Sequence, residues 1–398
     1  MKPIKVLALS GIRSEYDVIY PVLRCLQRDE RFDVAIAISG THLSEWHGRT
    51  ALRIEQDGFR VADRIDSLFN TDRPVQRAKG CGILAYALAQ TVEREAPDFL
   101  YVEGDREECL AAALVGNYMG VLVVHSGGGD TVFGNTDDPV RFAVSKLAHI
   151  HFPICEAYGR YLVNLGEDPE RVFVVGNPSL DNLRTVPILG RQELAARLWP
   201  DLAQHDYLLV LEHPYSAEAE RSYEHMTATL TAVDSFCRLH DLFAVGIHPN
   251  SDPGAAGVLQ AIADFSASPR LRFFKTLERE LFLNLFRGAL VLVGNSSMGI
   301  LEAPFYGLPV INVGERQRGR INAGNVEFVP HEQQAILRAL TRACHDTRHR
   351  EQVRANRTYY GDGHSAALIR DVLLSIDLNE RWWHLKGTRR SEVPGTAP

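Results

Sequence analysis

Short apolar runs alternate along the chain with longer stretches in which apolar residues recur every three or four positions. The runs read as buried strands of a parallel sheet and the periodic stretches as amphipathic helices. Residues 5–9 (Lys5-Val6-Leu7-Ala8-Leu9) open the series and pass through Ser10-Gly11-Ile12-Arg13-Ser14-Glu15-Tyr16 into a helical pattern ending near Leu26. Further strands are expected at 34–39, 99–102, 121–124 and 172–175, with a short apolar run at 152–154 and helical patterns over 83–93, 108–117 and 157–165. Pro187 and Gly190 break the alternation between residues 180 and 192, and it then restarts. The second series has strands at 207–211, 242–247, 271–274, 289–293 and 310–313, and helical runs at 217–239, 281–286, 300–306 and 332–343. Strands alternating with helices throughout predict an α/β protein with two Rossmann-like, doubly wound parallel sheets. The expected division is 1–180, 181–365 and a C-terminal segment 366–398, whose helix at 366–375 crosses back onto the first domain. Trp382 and Trp383 are candidates to anchor the polar tail.

Composition narrows the possible partners. With 398 residues and 45% hydrophobic content, the chain carries enough apolar material for two cores. A net charge of −7 argues against a broad nucleic-acid surface. No apolar run approaches the roughly 20 residues that span a bilayer, and the N-terminus lacks the basic region and apolar core of a secretory signal. A cytoplasmic location without a membrane partner is therefore expected. The six cysteines are scattered without a CxxC pair, which fits reduced thiols better than disulfides or a zinc site. His149-Ile150-His151 fits strand packing better than metal ligation, and neither a metal nor a cofactor is expected.

Polar chemistry collects where the strands end. Arg13 follows the first strand, and Gly40-Thr41-His42-Leu43 closes the second. Glu103-Gly104-Asp105-Arg106 ends the run at 99–102. The stretch from His125 to Phe152 is the most unusual: three glycines, Gly127 to Gly129, lead to Asp130, and Asp137, Asp138 and Arg141 begin a helical pattern. Taken alone, those last three residues read more readily as an acidic first turn with a surface ion pair than as a ligand cluster. In the second half, proline stops two strands directly after His213 and His248, the latter followed by Asn250. Gly294-Asn295-Ser296-Ser297 lies between a strand and a helical run. Its hydroxyls and helix-start N–H groups suit a phosphate, while Glu302 beyond them suits a pair of ribose hydroxyls. The loop 314–320 adds Arg316, Arg318 and Arg320, which read either as anion ligands or as a solvated surface.

In this order, SGIRSEY, the GTH loop, GDRxE, HxxGGD…DD…R…SKLAHIHF, the His213-Pro214 pair and NSSxGIxEAPxxGLPVINxGxRQxGR resemble the hydrolysing UDP-N-acetylglucosamine 2-epimerases, in particular their sialic-acid and legionaminic-acid branches. The likeness runs over roughly residues 4 to 375. It implies a GT-B-like fold with two domains facing across a cleft, a UDP-sugar as substrate, a homodimer, and a reaction that eliminates UDP to leave a glycal and then adds water with inversion at C2. It further implies that Arg13, His213, Ser296, Ser297 and Glu302 hold the nucleotide, and that Asp105, Asp130, Asp137, Asp138 and Arg141 face the sugar. Asp105 and the Asp137/Asp138 pair are the acid/base candidates, and His213 offsets diphosphate charge. His42, Arg106, His248, Asn250, Gly294 and Arg318 complete the candidate binding set. Two departures stand out: relatives read HIEGGE or HIHGGE where this chain has His125-Ser126-Gly127-Gly128-Gly129-Asp130, and RH where it has Arg141-Phe142. They point either to a more apolar, 6-deoxy sugar or to lost catalysis. A GT-B glycosyltransferase and a sugar-nucleotide-binding regulator are the alternative readings.

Overall fold

The computed structural model describes residues 2–387, apart from 70, 72, 132–136, 251 and 357. These fall into two compact units. The first takes in the chain up to Thr131, the stretch ending at Asn182 and the C-terminal part from Tyr360; the second spans Leu183–Tyr359.

The first unit is built on six strands: β1 (Ile4–Ser10), β2 (Phe32–Ser39), β3 (Arg60–Ile65), β4 (Phe99–Glu103), β5 (Leu122–Ser126) and β6 (Ile150–Phe152). They lie in the order β3-β2-β1-β4-β5-β6, and every pairing is parallel. Side chains alternate across a strand, so one apolar run feeds two cores. Val6, Ala8, Ile36, Phe99, Tyr101 and Val124 join one face, whereas Leu7, Leu9, Ala35, Leu100, Val102 and Val123 join the other. The helix Ser365–Ser375 packs on the first of these faces through Ala366, Ile369 and Leu373. Its first-turn N–H groups, which have no partner within the helix, are satisfied by a residue far away in sequence: the Asp181 carboxylate accepts from Ser365 N (3.0 Å) and Ala366 N (2.9 Å). Nearer the tail, the Arg171 guanidinium lies 4.0 Å from the Trp382 ring centre.

The second unit repeats the plan with β7 (Tyr207–Leu211), β8 (Phe243–Ile247), β9 (Leu271–Phe274), β10 (Leu292–Gly294), β11 (Val310–Val313) and β12 (Val326–Val329), ordered β12-β11-β10-β7-β8-β9 and again wholly parallel. Both orders reverse direction once, between β1 and β4 and between β7 and β10. In open α/β sheets such a reversal leaves a crevice at the carboxyl ends of the two central strands, where ligands bind.

Four local expectations need correction. Residues 172–175 form only one bridge, Val172 to His151, instead of a strand. Phe173 N and Val175 N do donate to His151 O and Pro153 O (2.9 and 3.3 Å), but Pro153 has no N–H to return, so the ladder stops. The edge strands β3 and β12 were not anticipated, because their half-exposed, charged sequences lack the apolar run that marks a central strand. The helix expected at 217–239 is a 3-10 segment, Ser216–Arg221, kinked at Glu218 (φ −130°, ψ 30°), followed by the α-helix Ser222–His240. The run 300–306 is one helical turn, Met298–Leu301, and then a 3-10 turn, Ala303–Tyr306, with Pro304 in its first turn.

Candidate functional site

At the first reversal, β4 carries Glu103 at its end and delivers Gly104, Asp105 and Arg106 to the sheet edge, while β5 delivers Gly127 through Asp130 beside them. Arg141, on the helix Asp137–Leu147, is 7% exposed and ties these loops together. Its guanidinium donates to the Asp105 carboxylate and to the Gly127 carbonyl (2.9 Å), and lies 3.6 Å from the carboxylate of Asp130, which is itself 1% exposed. The structure therefore brings Asp105, Asp130 and Arg141 into one ion-paired cluster. Asp138 sits half-buried in the first turn of the same helix. Asp137 opens that helix, but its side chain lies outside the described residues.

Glutamates that the sequence showed without a role crowd the same edge. Glu108 is buried, and a Cβ on Gly11 or Gly40 would fall within 2.3 or 2.5 Å of its Oε1. Burial pushes its pKa up while the charge of Arg106, 3.6 Å away, pulls it down. Glu15 is raised well above the usual carboxylate range, first by burial and then by the charge of Glu108. Glu103 is pushed up to about 7, chiefly by burial. Arg13 lies at the start of its helix with Asp17 3.9 Å away. His42 sits in the interior, fully buried, with Ser10 Oγ (2.9 Å) and Thr50 Oγ1 (2.7 Å) on its two ring nitrogens; burial holds it neutral, down to about 4. Both of its polar atoms are thus already engaged, and its expected place among the binding groups reduces to shaping the β2 end.

At the second reversal, Gly294 has φ +129°, and a Cβ there would meet the Leu211 carbonyl at 2.2 Å, so only glycine lets β10 pass this close to β7. Asn295 then laces the two strand ends together. It accepts from His213 N (2.8 Å) and donates to the His213 carbonyl (2.9 Å). Asn250 N–H donates to His213 Nδ1 (3.1 Å), which makes Nδ1 the acceptor and leaves Nε2 as the protonated, donating nitrogen. Ser296 and Ser297 are half-buried on this loop, and Glu302 is 6% exposed just beyond it. His248 ends β8 with its backbone N–H on Phe274 O (2.9 Å), and burial lowers its ring basicity. The short helix after Ser297 weakens the dipole contribution expected there, because four residues align few peptide units. Within the arginine loop, Arg316, not Arg318, reaches this site: Arg316 and Gln317 donate to Asn295 O (3.0 and 3.2 Å), while Arg318 is exposed and pairs with Glu315.

A family model described as UDP-N-acetylglucosamine 2-epimerase matches residues 24–374. The chain belongs to that family of enzymes. The UDP-N,N'-diacetylbacillosamine 2-epimerase (hydrolyzing) of Legionella pneumophila is 31% identical over 377 residues, covering 95% of this chain and 97% of the relative. The polysialic acid biosynthesis protein P7 of Escherichia coli is 26% identical, covering 84% and 85%. Among solved structures, the Neisseria meningitidis UDP-GlcNAc 2-epimerase bound to UDP-GlcNAc superposes with a TM-score of 0.80 at 20% identity over 94% of this chain and 100% of that one. This last likeness confirms the epimerase-family fold, two parallel six-stranded sheets with flanking helices.

A further polar group in this epimerase-family chain lies in the second unit. Glu218, His225 and His331 bring donor atoms within 4.8 Å of one another. The two imidazoles, however, stack with centres 3.8 Å apart and planes 5° from parallel, so their in-plane lone pairs run side by side instead of converging on a tetrahedral ion. No described helix is long and apolar enough to cross a membrane.

Proposed function

We propose that the protein is a hydrolysing sugar-nucleotide 2-epimerase. It takes UDP-GlcNAc or a UDP-2,4-diacetamido-2,4,6-trideoxy sugar and gives UDP and the free 2-epimeric sugar, for nonulosonic acid or surface polysaccharide synthesis. The observation that carries this reading is the Asp105–Arg141–Asp130 cluster at the first reversal, in a chain of this family. Elimination needs a base for the weakly acidic C2–H and donors for the departing diphosphate; hydration needs an acid for C2. Asp105 is the acceptor carboxylate at one edge. At the other, His213 Nε2–H, the half-buried serines and Arg316 are the anion donors, and the Glu302 carboxylate suits the ribose. No metal or cofactor is needed for either half-reaction.

The diacetamido sugar is the preferred candidate. Phe142 stands half-buried and edge-on to Tyr161 (5.4 Å, 63°), an apolar pair one residue after Arg141 that suits a 6-deoxy substituent better than a hydroxymethyl group. The name of the Legionella relative points the same way. Action in the cytoplasm as a homodimer is part of the proposal. The test is to incubate purified protein with each UDP-sugar and follow UDP and reducing sugar. UDP plus a free 2-epimer supports the proposal, and faster turnover of the diacetamido sugar supports the preference. Binding of both sugars without turnover would replace it with a sugar-nucleotide-binding regulator, the reading that Gly127 alone favours; transfer seen only with an added acceptor would replace it with a glycosyltransferase.

A further inference from the structure

Position 127 has no side chain, yet its side-chain space is filled. Gly127 has φ +77°, and a Cβ built there would lie 2.8 Å from Oε1 of Glu103. The β4–β5 register causes this: Glu103 pairs with Ser126, so the carboxylate at the end of β4 leans over the first residue beyond β5. Around it lie buried polar atoms with incomplete hydrogen bonding. Glu103 Oε2, Ser126 Oγ and Tyr101 Oη are all shielded from solvent, and none completes a hydrogen bond among the described residues. Ser126 is close enough to favour the charged carboxylate without reaching hydrogen-bond geometry. Buried polar atoms without partners are rare in folded proteins, and a cluster of them marks a place where a water, an ion or a substrate group completes the set. Glu103 as a whole is half-buried, and Oε1 is the oxygen that faces position 127.

The charged neighbours sort the carboxyls of this edge into two kinds. Asp105 and Asp130 share the Arg141 guanidinium. Glu103 has no cation in salt-bridge contact among the described residues; it faces Arg141 only at longer range, with Asp105 opposing that effect and the neutral Tyr101 phenol below. Burial outweighs the rest and lifts it to about 7, so near neutral pH a large share of Glu103 carries a proton beside ion-paired aspartates. A carboxyl that keeps its proton beside ion-paired carboxylates is suited to act as the acid of such a pair.

We propose that Glu103 is a second proton-transfer group of this edge, occupying the space of a side chain at position 127 and delivering the proton that the unsaturated intermediate takes up at C2. The inference rests on the 2-epimerase reading above. In the first half-reaction, Asp105 takes the C2 proton. The C–H electron pair becomes the C1–C2 double bond, and the C1–O pair leaves with UDP. In the second, the double-bond pair takes the proton of Glu103 at C2, water oxygen bonds to C1, and the surplus water proton restores Glu103, while Asp105 gives the proton it took to the departing UDP or to solvent. The net change is the addition of one water. Gly127 is thus a position whose missing group is supplied from the neighbouring strand, which separates a changed site from a dead one.

The test compares wild type with Glu103→Gln, an isosteric group that cannot transfer a proton, and with Gly127→Ala, which pushes the carboxyl aside from an unfavourable backbone angle. UDP release and C2 epimer are followed from pH 5.5 to 9, and UDP affinity and melting temperature are measured on each protein. Because the acid form is the active one, wild-type turnover is expected to fall as pH rises through about 7. Glu103→Gln is expected to lose roughly 10²–10³-fold in kcat and that alkaline limb together, with UDP affinity unchanged, and Gly127→Ala to lose about tenfold in kcat by displacing the acid by a fraction of its reach. A Glu103→Gln enzyme that keeps kcat within threefold, or keeps the limb, overturns the inference while leaving the epimerase reading intact. A wild-type protein that releases no UDP from either sugar removes that reading, and the role of Glu103 with it.

Discussion

Around the β1/β4 reversal the polar side chains are carboxylates, Glu15, Glu103, Asp105, Glu108 and Asp130, governed by Arg106 and Arg141. Around the β7/β10 reversal amides, hydroxyls and an imidazole stand beside the carboxyls Glu212 and Glu302, with His213, Asn250 and Asn295 interlocked and Arg316 leaning on the Asn295 carbonyl. The scaffolds are alike in strand order and in which strands reverse; the contrast lies in the strand ends and in the loops and helices that follow them. Acceptors gathered at one edge suit moving protons, and donors gathered at the other suit holding an anion. Under the proposed function, one topology used twice divides a reaction into chemistry and binding, with the roles set by local residues rather than by the fold.

Several substitutions would break that contrast, and the largest effect is expected at Asp105. Asp105→Asn should lower kcat on the order of 10³-fold, within the range of acid–base groups, while the affinity for UDP measured by calorimetry stays within about twofold. A comparable loss of UDP affinity would show that the first edge binds the nucleotide. Arg141→Met removes the guanidinium from buried Asp130 and from Asp105, and should cost about 3–5 kcal/mol of stability in chemical denaturation, as removing one partner of a buried pair does.

Glu212 sharpens the comparison from the other side. It lies 3% exposed at the end of β7, and burial pushes it up to about 8 from an ordinary 4.5. The folded state therefore keeps a proton that the unfolded chain releases above about 4.5, so stability declines as pH rises from there to about 8 and levels off beyond. Glu212→Gln should flatten that decline by a few kcal/mol, seen as a smaller fall in melting temperature between pH 5 and pH 8. An unchanged slope would place the titrating group elsewhere. His213→Ala should weaken UDP binding roughly tenfold with the loss of one charge-assisted donor. The smallest effects belong to the arginine loop. Arg316→Ala should weaken UDP binding about threefold, and Arg318→Ala, exposed and already paired with Glu315, by less than about twofold; the reverse order would restore Arg318 as the anion ligand.

Much of this was legible in the apolar pattern because central strands of a parallel sheet are buried on both faces and read as unbroken runs. Edge strands obey a different rule. Arg60–Ile65 is half in solvent, and its charges hide it. Residues 172–175 look like a strand because their own sequence allows one; the obstacle, Pro153, sits on the partner and is invisible locally. The site divides the same way. Asp105, Asp130 and Arg141 could be grouped because consecutive strand ends in such folds gather on one edge. Glu103 could not be given a role, because only the Glu103–Ser126 register carries its carboxyl over Gly127. His42 pointed the other way: a histidine at a strand end looks available for a ligand until the Ser10 and Thr50 hydroxyls are seen on its two nitrogens.

The central claim is that the first edge removes and returns a proton at C2 of a UDP-sugar. Running the reaction in deuterium oxide tests it most directly, with the free sugar isolated and examined by NMR and mass spectrometry. The account predicts release of UDP and a sugar inverted at C2 that carries one deuterium there, since the proton taken by the enzyme exchanges before another is delivered. Released UDP with a sugar of unchanged configuration, or an inverted sugar that keeps its original hydrogen at C2, would contradict it.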